Sequence, residues 1–146
     1  MIVTLQSILE HSQSESFLSY IKEQMINLYS QLSECHDVDN SKFIEFVKYN
    51  KIYVYIDTKF NIKGTISVMY ERKLLHGCKA VAHVEDFVVD EKYRGLNIGR
   101  ELLEYVIDDS KHHNAYKIIL NCTRSMEKFY NKFNFKNKNI EMSYYF

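Results

Sequence analysis

The stretch that most constrains the fold of this chain is residues 87–103, which read FVVDEKYRGLNIGRELL. The apolar, β-branched run at its start predicts a strand that ends at Asp90. After a short polar link with Gly95 and Gly99, apolar residues recur at the spacing of an amphipathic helix. The sequence therefore places a glycine-bearing turn between a strand and a helix.

This turn is suited to binding an anion. The first backbone N–H groups of a helix have no partner within the helix, and the helix dipole is positive at that end. Gly95 and Gly99 let the backbone approach a ligand, and Asn97 tolerates a left-handed conformation. Arg94 and Arg100 add positive charge. The pattern differs from a nucleotide P-loop and from the dinucleotide fingerprint, so it predicts another kind of phosphate or pyrophosphate site, with an ordinary strand-to-helix turn as the alternative.

The composition restricts the kind of partner. The 146 residues include 19 basic and 19 acidic ones, and no basic tract is interleaved with aromatic residues as in nucleic-acid-binding surfaces. No stretch approaches the ~20 apolar residues of a membrane span, and the first residues do not resemble a secretion signal. We therefore expect one soluble domain over residues 1–146 that binds a small anion, and neither nucleic acid nor membrane.

The three cysteines, Cys35, Cys78 and Cys122, are odd in number and lack metal-ligand spacing. They predict a reducing, cytoplasmic environment without a disulfide framework and without a bound metal. Cys122 is a candidate nucleophile for covalent catalysis. Because no histidine is placed to activate it and burial raises a thiol pKa, we interpret Cys122 as structural.

Periodicity along the rest of the chain predicts an α+β fold. An amphipathic helix is expected over residues 16–32, and Ser41 is expected to cap a second helix. The inward stripe of the first helix comprises Phe17, Ile21, Met25, Leu28 and Leu32. Strands are expected at residues 51–57, 63–71, 79–89, 116–122 and 141–146, a loop at 72–78, and further helices at 100–111 and 125–133. The order ααββ(β)αβαβ indicates a mixed sheet with helices on its faces.

The glycine-bearing turn resembles the pyrophosphate-binding signature of the GNAT acetyltransferase superfamily, Arg/Gln-x-x-Gly-x-Gly/Ala. Arg94, Asn97 and Gly99 occupy the three signature positions, with Asn97 in place of the usual glycine. The resemblance implies the GNAT fold, with a central, mostly antiparallel sheet, and acetyl-coenzyme A as the cosubstrate. The implied coenzyme contacts are Phe87, Val88, Val89, Arg94, Gly95, Leu96, Asn97, Ile98, Gly99, Arg100 and Tyr130.

Further segments resemble the branch of this superfamily that acetylates glucosamine 6-phosphate. The likeness lies in Gly64-Thr65-Ile66, Glu71-Arg72-Lys73, His83-Val84-Glu85-Asp86, residues 117–122, Lys128-Phe129-Tyr130, and Glu141-Met142 with Phe146. The matching segments follow one another closely from Gly64 to the C-terminus, and few matches precede Gly64. It implies direct acetyl transfer to glucosamine 6-phosphate in a ternary complex, for UDP-N-acetylglucosamine biosynthesis. It also implies a homodimer whose C-terminal strands pack into the partner, with the sugar phosphate near the subunit interface.

The resemblance assigns chemical roles to three residues. Tyr130, in a Phe-Tyr pair after the fifth strand, is expected to give a proton to the coenzyme sulfur. Glu85 and Asp86 are expected to hold the sugar and its amine. Side chains alternate along a strand, so two neighbouring carboxylates face one cleft only where a bulge turns both.

Two departures from the family pattern affect the mechanism. Asn121 stands where an aspartate is usual, and Met126 replaces a polar residue near the coenzyme. Asn121 remains an expected site residue and substrate contact, but an amide cannot act as a base. Proton removal is then left to Asp86, to Glu85 or to water, or the amine binds already neutral.

The acceptor phosphate is expected to meet Arg72 and Lys73, of which Arg72 is preferred because arginine can donate two parallel N–H bonds. Two other functions remain open. A GNAT enzyme acting on a polyamine, or on a peptide or protein N-terminus, would favour an acidic cleft without this cationic pair. A non-catalytic acyl-coenzyme A-binding module is favoured by Asn121 and opposed by Tyr130 with the acidic pair.

Overall fold

The computed structural model describes residues 1–12 and 14–146. In these residues the strands are β1 (Ile2–Thr4), β2 (Lys51–Ile56), β3 (Ile62–Arg72), β4 (Ala80–Val89) and β5 (Ala115–Leu120). The helices are α1 (Leu5–His11), α2 (Glu15–Tyr29), α3 (Asn40–Tyr49), α4 (Leu75–Cys78), α5 (Ile98–His112) and α6 (Glu127–Asn131). Short 3₁₀ turns, Glu91–Tyr93 and Arg124–Met126, precede α5 and α6. Within the described residues, no helix has both the length and the apolar character needed to cross a membrane.

The strands form one mixed sheet in the order β1-β2-β3-β4-β5. Neighbouring strands are antiparallel except β4 and β5, which are parallel. This arrangement confirms the predicted fold class. The pairing of β4 with β5 ends at Val84↔Leu120, although β4 continues to Val89. We call the opening between residues 85–89 of β4 and the residues that follow Leu120 the fork.

Helices cover both faces of the sheet. On one face α1, α2 and α3 form an apolar cluster with the sheet that includes Leu5, Ile21, Met25, Phe43 and Val54. On the other face α5 packs against the sheet in a cluster that includes Ile66, Ala82, Leu102, Leu103 and Val106. Full burial of a large aliphatic side chain contributes ~1.5–3 kcal/mol. The sheet, and with it the fork, is therefore fixed from both sides.

The structure corrects several predicted helix boundaries and elements. Because α2 ends at Tyr29, Leu32 lies beyond the helix and is 48% exposed, so its inward placement was wrong. The carboxylate of Asp39, and not Ser41, caps α3 by accepting from the Lys42 N–H at 2.9 Å. The predicted order also lacks β1 and α1. A three-residue strand such as β1 is too short to show alternation.

The strand predicted at residues 141–146 does not form in the single chain. This segment has no regular secondary structure, and its large apolar side chains project into solvent. Ile140, Met142, Tyr144, Tyr145 and Phe146 are each at least 84% exposed. A strand needs a neighbour for its N–H and C=O groups, and the segment pairs with no strand among the residues described.

A polar network ties β2 and β3 to α5 through Asp109. The carboxylate of Asp109 accepts from Lys51 Nζ at 3.0 Å and from the Tyr70 hydroxyl at 2.5 Å. Partial burial opposes ionisation of Asp109, but the hydrogen bonds from Tyr70 and Lys51 outweigh this effect and lower its pKa. The charged form of Asp109 therefore stabilises the fold.

We expect Asp109→Asn to destabilise the protein by ~2 kcal/mol, because Lys51 and Tyr70 lose a charged partner in a partly buried site. A lowered pKa means that this stabilisation is present above the ordinary carboxyl pKa of about 4 and is lost as the pH falls through the folded-state value. Urea unfolding near pH 7 and near pH 3 measures both effects. Asp108→Asn is the matched control, since Asp108 is exposed and pairs with Lys111 on the surface. Equal effects of the two substitutions near neutral pH would contradict the assignment.

Candidate active site

The fork brings together the candidate chemical groups. Because strand pairing ends one residue earlier on each side, Glu85 on β4 and Asn121 after β5 are the first residues of the opening. Asp86 follows Glu85. Tyr130 on α6 contacts Phe87 on β4, with ring centroids 6.4 Å apart. The four residues expected to take part in the reaction therefore lie around one opening.

A β-bulge in β4 sets the direction of the acidic pair. Ser67 of β3 pairs with Glu85, but Thr65 pairs with Val88, so β4 accommodates one extra residue. Asp86 lies at this point and has a φ of 47°, which is unusual for a residue other than glycine. The bulge interrupts the strict alternation of side chains, and Glu85 and Asp86 are both exposed.

Asp86 is the carboxylate best suited to accept a proton. Within the described part of the chain, its side chain has no hydrogen-bond or ion-pair partner. Although the residue as a whole is exposed, protein atoms around the carboxyl remove part of its water. This desolvation raises the pKa of Asp86 above its ordinary value. A carboxylate with a raised pKa is a stronger base than an ordinary one.

Tyr130 is a buried phenol that faces the fork. Only 7% of its surface is exposed, and its ring packs edge-on against Phe129 and Phe135, with centroids 5.1 Å and 5.9 Å away. Burial raises the pKa of Tyr130 to about 12, and the nearby Cys122 sulfur adds to the shift. The hydroxyl therefore keeps its proton at neutral pH and can donate it to a developing thiolate.

The structure corrects one premise about Cys122. The thiol is exposed just beyond the end of β5, so burial is not the reason for an unreactive cysteine. Among the described residues no histidine forms a hydrogen bond with Cys122, so none is placed to activate the thiol. Asn121, its neighbour, is also exposed and can orient a substrate through its amide.

The turn after β4 has the backbone geometry of an anion site. Gly95 has a φ of 82° and Asn97 a φ of 62°, so the left-handed conformation expected at Asn97 is present. α5 begins at the next residue, and the Asn97 side chain does not cap it. The N–H groups of Ile98, Gly99 and Arg100 have no partner within the helix, so they can donate to a pyrophosphate.

Gln31, just beyond α2, forms hydrogen bonds with residues of this turn. Its side-chain oxygen accepts from the Glu91 N–H at 3.1 Å and from Arg94 Nη2 at 3.4 Å, while Arg94 Nε donates to the Val89 carbonyl at 3.2 Å. Sequence reasoning missed Gln31, because a polar residue outside the apolar stripe of the helix expected over residues 16–32 carries no signal of function. The other two side chains of the turn, Leu96 and Arg100, are exposed.

The remaining predicted coenzyme contacts fall into two groups. The side chains of Val88 and Ile98 are buried in the core on opposite faces of the sheet, so only their backbones can meet a ligand. Phe87 and Val89 are half-buried and border Gly99. A Cβ atom at Gly99 would lie 3.4 Å from Val89 Cγ2 and 3.5 Å from Phe87 Cζ.

Arg72 and Lys73 do not lie at the fork of their own chain. Arg72 pairs with Ala80, five positions before Glu85 on β4, which corresponds to ~17 Å at the rise of a strand. The Lys73 ammonium pairs with the Glu71 carboxylate, so its charge is already balanced. Arg72 forms no ion pair with the residues described. The structure thus separates the cationic pair from the acidic pair within one chain.

Tyr29 and Ser67 lie beside the fork, and the sequence did not single them out. Tyr29 ends α2 and places its hydroxyl 3.5 Å from Ser67 Oγ, beside the bulge. Burial raises the pKa of Tyr29 to about 12, and the charge of Asp86 contributes to the shift. Tyr29 follows a residue of the buried stripe, and nothing in the local pattern marks it as functional.

A fork beside a bulged strand, followed by an uncapped helix start, is the arrangement expected of an acyltransferase that uses an acyl-coenzyme A. The family model described as "Acetyltransferase (GNAT) family" matches residues 5–135. The chain belongs to this family, and the resemblance predicted from its turn is confirmed.

The chain is similar to curated glucosamine 6-phosphate N-acetyltransferases and to a crystal structure of one of them. Glucosamine 6-phosphate N-acetyltransferase of Arabidopsis thaliana is 41% identical over 90 residues, which are 62% of this chain and 60% of that protein. Glucosamine 6-phosphate N-acetyltransferase 1 of Dictyostelium discoideum is 32% identical over 127 residues, 86% of this chain and 74% of that protein. The crystal structure of the enzyme from Arabidopsis thaliana aligns with a TM-score of 0.83 and 32% identity, over 100% of this chain and 97% of that chain. The chain thus spans about 60% of the length of its curated Arabidopsis relative.

Proposed function

We propose that this protein transfers the acetyl group of acetyl-coenzyme A to the amine of glucosamine 6-phosphate, giving N-acetylglucosamine 6-phosphate and coenzyme A. The observation that carries the proposal is the fork, where Asp86 and Tyr130 flank an opening that continues to the uncapped start of α5. The names of the similar proteins from Arabidopsis and Dictyostelium support the acceptor. The product is an intermediate for UDP-N-acetylglucosamine biosynthesis.

The proposed reaction is direct transfer within a ternary complex. The pyrophosphate of the coenzyme binds the N–H groups at the start of α5, and its thioester lies in the fork. The acceptor nitrogen attacks the carbonyl carbon, and Asp86 takes the proton that the nitrogen loses. As the carbon–sulfur bond breaks, Tyr130 gives a proton to the thiolate. Beside the bulge, a backbone N–H of β4 without a strand partner is suited to stabilise the oxyanion.

We assign the acceptor phosphate to Arg72 and not to Lys73, because Glu71 already balances the Lys73 charge. Arg72 lies ~17 Å from the acidic pair of its own chain, at the rise of a strand. The phosphate contact is therefore proposed to come from the partner subunit of a homodimer.

The free cysteines of the chain fit a reducing, cytoplasmic environment.

The test is release of free thiol from acetyl-coenzyme A in the presence of different amines. The panel consists of glucosamine 6-phosphate, glucosamine, a polyamine, a peptide with a free N-terminus, and no acceptor. We expect rapid release with glucosamine 6-phosphate and much slower release with glucosamine, which lacks the phosphate. Faster release with the polyamine or peptide would overturn the acceptor. Binding of acetyl-coenzyme A without release from any amine would favour the non-catalytic module.

The homodimer has its own test. The exposed apolar side chains at positions 140–146 form a continuous segment of a kind that soluble proteins usually cover, and two-fold pairing of two copies would cover it. Light scattering at micromolar concentration should give twice the chain mass of 17.5 kDa. The matched variant replaces Ile140, Met142 and Tyr144 by serine and should give the mass of one chain. A wild-type mass of one chain would count against the proposal.

A further inference from the structure

We infer that Tyr29 is an acceptor-binding residue, which forms with Asp86 the subsite for the acceptor nitrogen. This inference rests on the proposed function and adds to it a residue outside the signature turn and outside β4. Tyr29 comes from α2, on the face of the sheet opposite α5.

The fold delivers the Tyr29 hydroxyl to the bulged part of β4. The Tyr29 ring is held edge-on against Phe46, with centroids 6.3 Å apart. Its hydroxyl lies 3.5 Å from the oxygen of Ser67, which is 8% exposed and is paired with Glu85 in the sheet. The next residue of β4 is Asp86. The phenol and the unpaired carboxylate therefore border the same part of the fork.

Hydrogen-bond capacity determines what the Tyr29 oxygen can do. The Thr65 hydroxyl, which also lies near Tyr29, already donates its one hydrogen to the Tyr53 carbonyl at 3.1 Å. Toward Tyr29 it can therefore only accept. In the 3.5 Å contact between Tyr29 and Ser67 either hydroxyl can be the donor. In both cases the Tyr29 oxygen keeps at least one lone pair for a donor that enters the fork.

The charges around this subsite suit an amine. Burial is the main reason that the pKa of Tyr29 is raised to about 12. The phenol is therefore neutral near pH 7. Asp86 supplies a negative charge with no partner among the described residues. An ammonium group entering between them meets two hydrogen-bond acceptors and a compensating charge. Asp86 takes one proton from the ammonium and makes the nitrogen a nucleophile, while Tyr29 still holds an N–H and keeps the nitrogen aimed at the thioester. The second proton that the nitrogen loses as the amide forms replaces the one that Tyr130 gives to the thiolate.

The test compares Tyr29→Phe with the wild-type protein. This substitution removes the hydroxyl and keeps the ring that packs on Phe46. Loss of a hydrogen bond to a charged group should raise the KM for glucosamine 6-phosphate about tenfold. The Kd for acetyl-coenzyme A should stay unchanged. The inhibition constant of 2-deoxyglucose 6-phosphate, which has no group in place of the amine, should also stay unchanged, because the inferred contact is made to nitrogen alone.

Tyr20→Phe is the matched control, because Tyr20 lies on the same helix and donates to Asn61 Oδ1 at 2.7 Å, away from the bulge. An unchanged KM in Tyr29→Phe would overturn the inference, as would an equal rise in KM and in the inhibition constant. If the wild-type protein acetylates another amine instead, the proposed function is wrong, and the same comparison with that amine and its deaminated analogue decides the role of Tyr29. If it acetylates no amine, both are wrong.

Discussion

Replacing Tyr130 by phenylalanine should lower kcat by ~10² to 10⁴ and leave the affinity for acetyl-coenzyme A nearly unchanged, because the change removes the group proposed to protonate the thiolate. The ring contacts with Phe129 and Phe135 do not involve the hydroxyl, so the fold should be retained. Thiol release gives kcat and KM, and calorimetric titration gives the Kd of the coenzyme. Tyr116→Phe is the control, since Tyr116 stacks on His76 and not on Phe87.

The pH profile separates Tyr130 from Asp86. The raised pKa of Asp86 places the loss of activity on acidification above the ordinary carboxyl range, because the base must be ionised. With its pKa of about 12, Tyr130 stays protonated throughout the neutral range. Tyr130→Phe should therefore lower the whole profile without moving its acidic limb. Full activity of Tyr130→Phe would show that Tyr130 is not the acid of the reaction.

The sequence revealed those parts of the site that depend on local geometry. Asn97 could be predicted in a left-handed conformation because few other residues adopt it, and the strand before it because β-branched residues recur there. The prediction of a strand at residues 141–146 was wrong. Its alternation is a local signal, but a strand also needs a neighbour, which the single chain does not supply.

Contacts between distant segments were not readable from the sequence. Tyr29 reaches Ser67 over 38 positions, and Gln31 reaches Arg94 over 63. The sequence favours Arg72 over Lys73 only for its bidentate hydrogen bonding, and only the fold shows that Glu71 balances Lys73. The end of α2 and the residues just after it thus contact both parts of the proposed site, through Tyr29 beside the bulge and Gln31 at the turn before α5. A periodic pattern could assign α2 to the core but could not assign its last turn to the site.

Replacing Gly99 by valine should weaken acetyl-coenzyme A binding by ~10²-fold or more, while circular dichroism shows the fold retained. Gly99 is the second residue of α5 and does not have a positive φ, so backbone strain is not the reason for glycine here. The space around it is the reason. A Cβ would already be in contact with Val89 Cγ2 at 3.4 Å and with Phe87 Cζ at 3.5 Å.

The γ-methyl groups of valine extend beyond that Cβ, so they must either displace Phe87 or project over the N–H groups that are proposed to bind the pyrophosphate. Gly99→Ala separates these effects from the mere loss of glycine, because its single methyl fits at ordinary contact distance and alanine favours the helix. We expect the alanine variant to keep most of the coenzyme affinity and the valine variant to lose it. Calorimetric titration of both variants decides the matter, and unchanged affinity in Gly99→Val would place the pyrophosphate away from the start of α5.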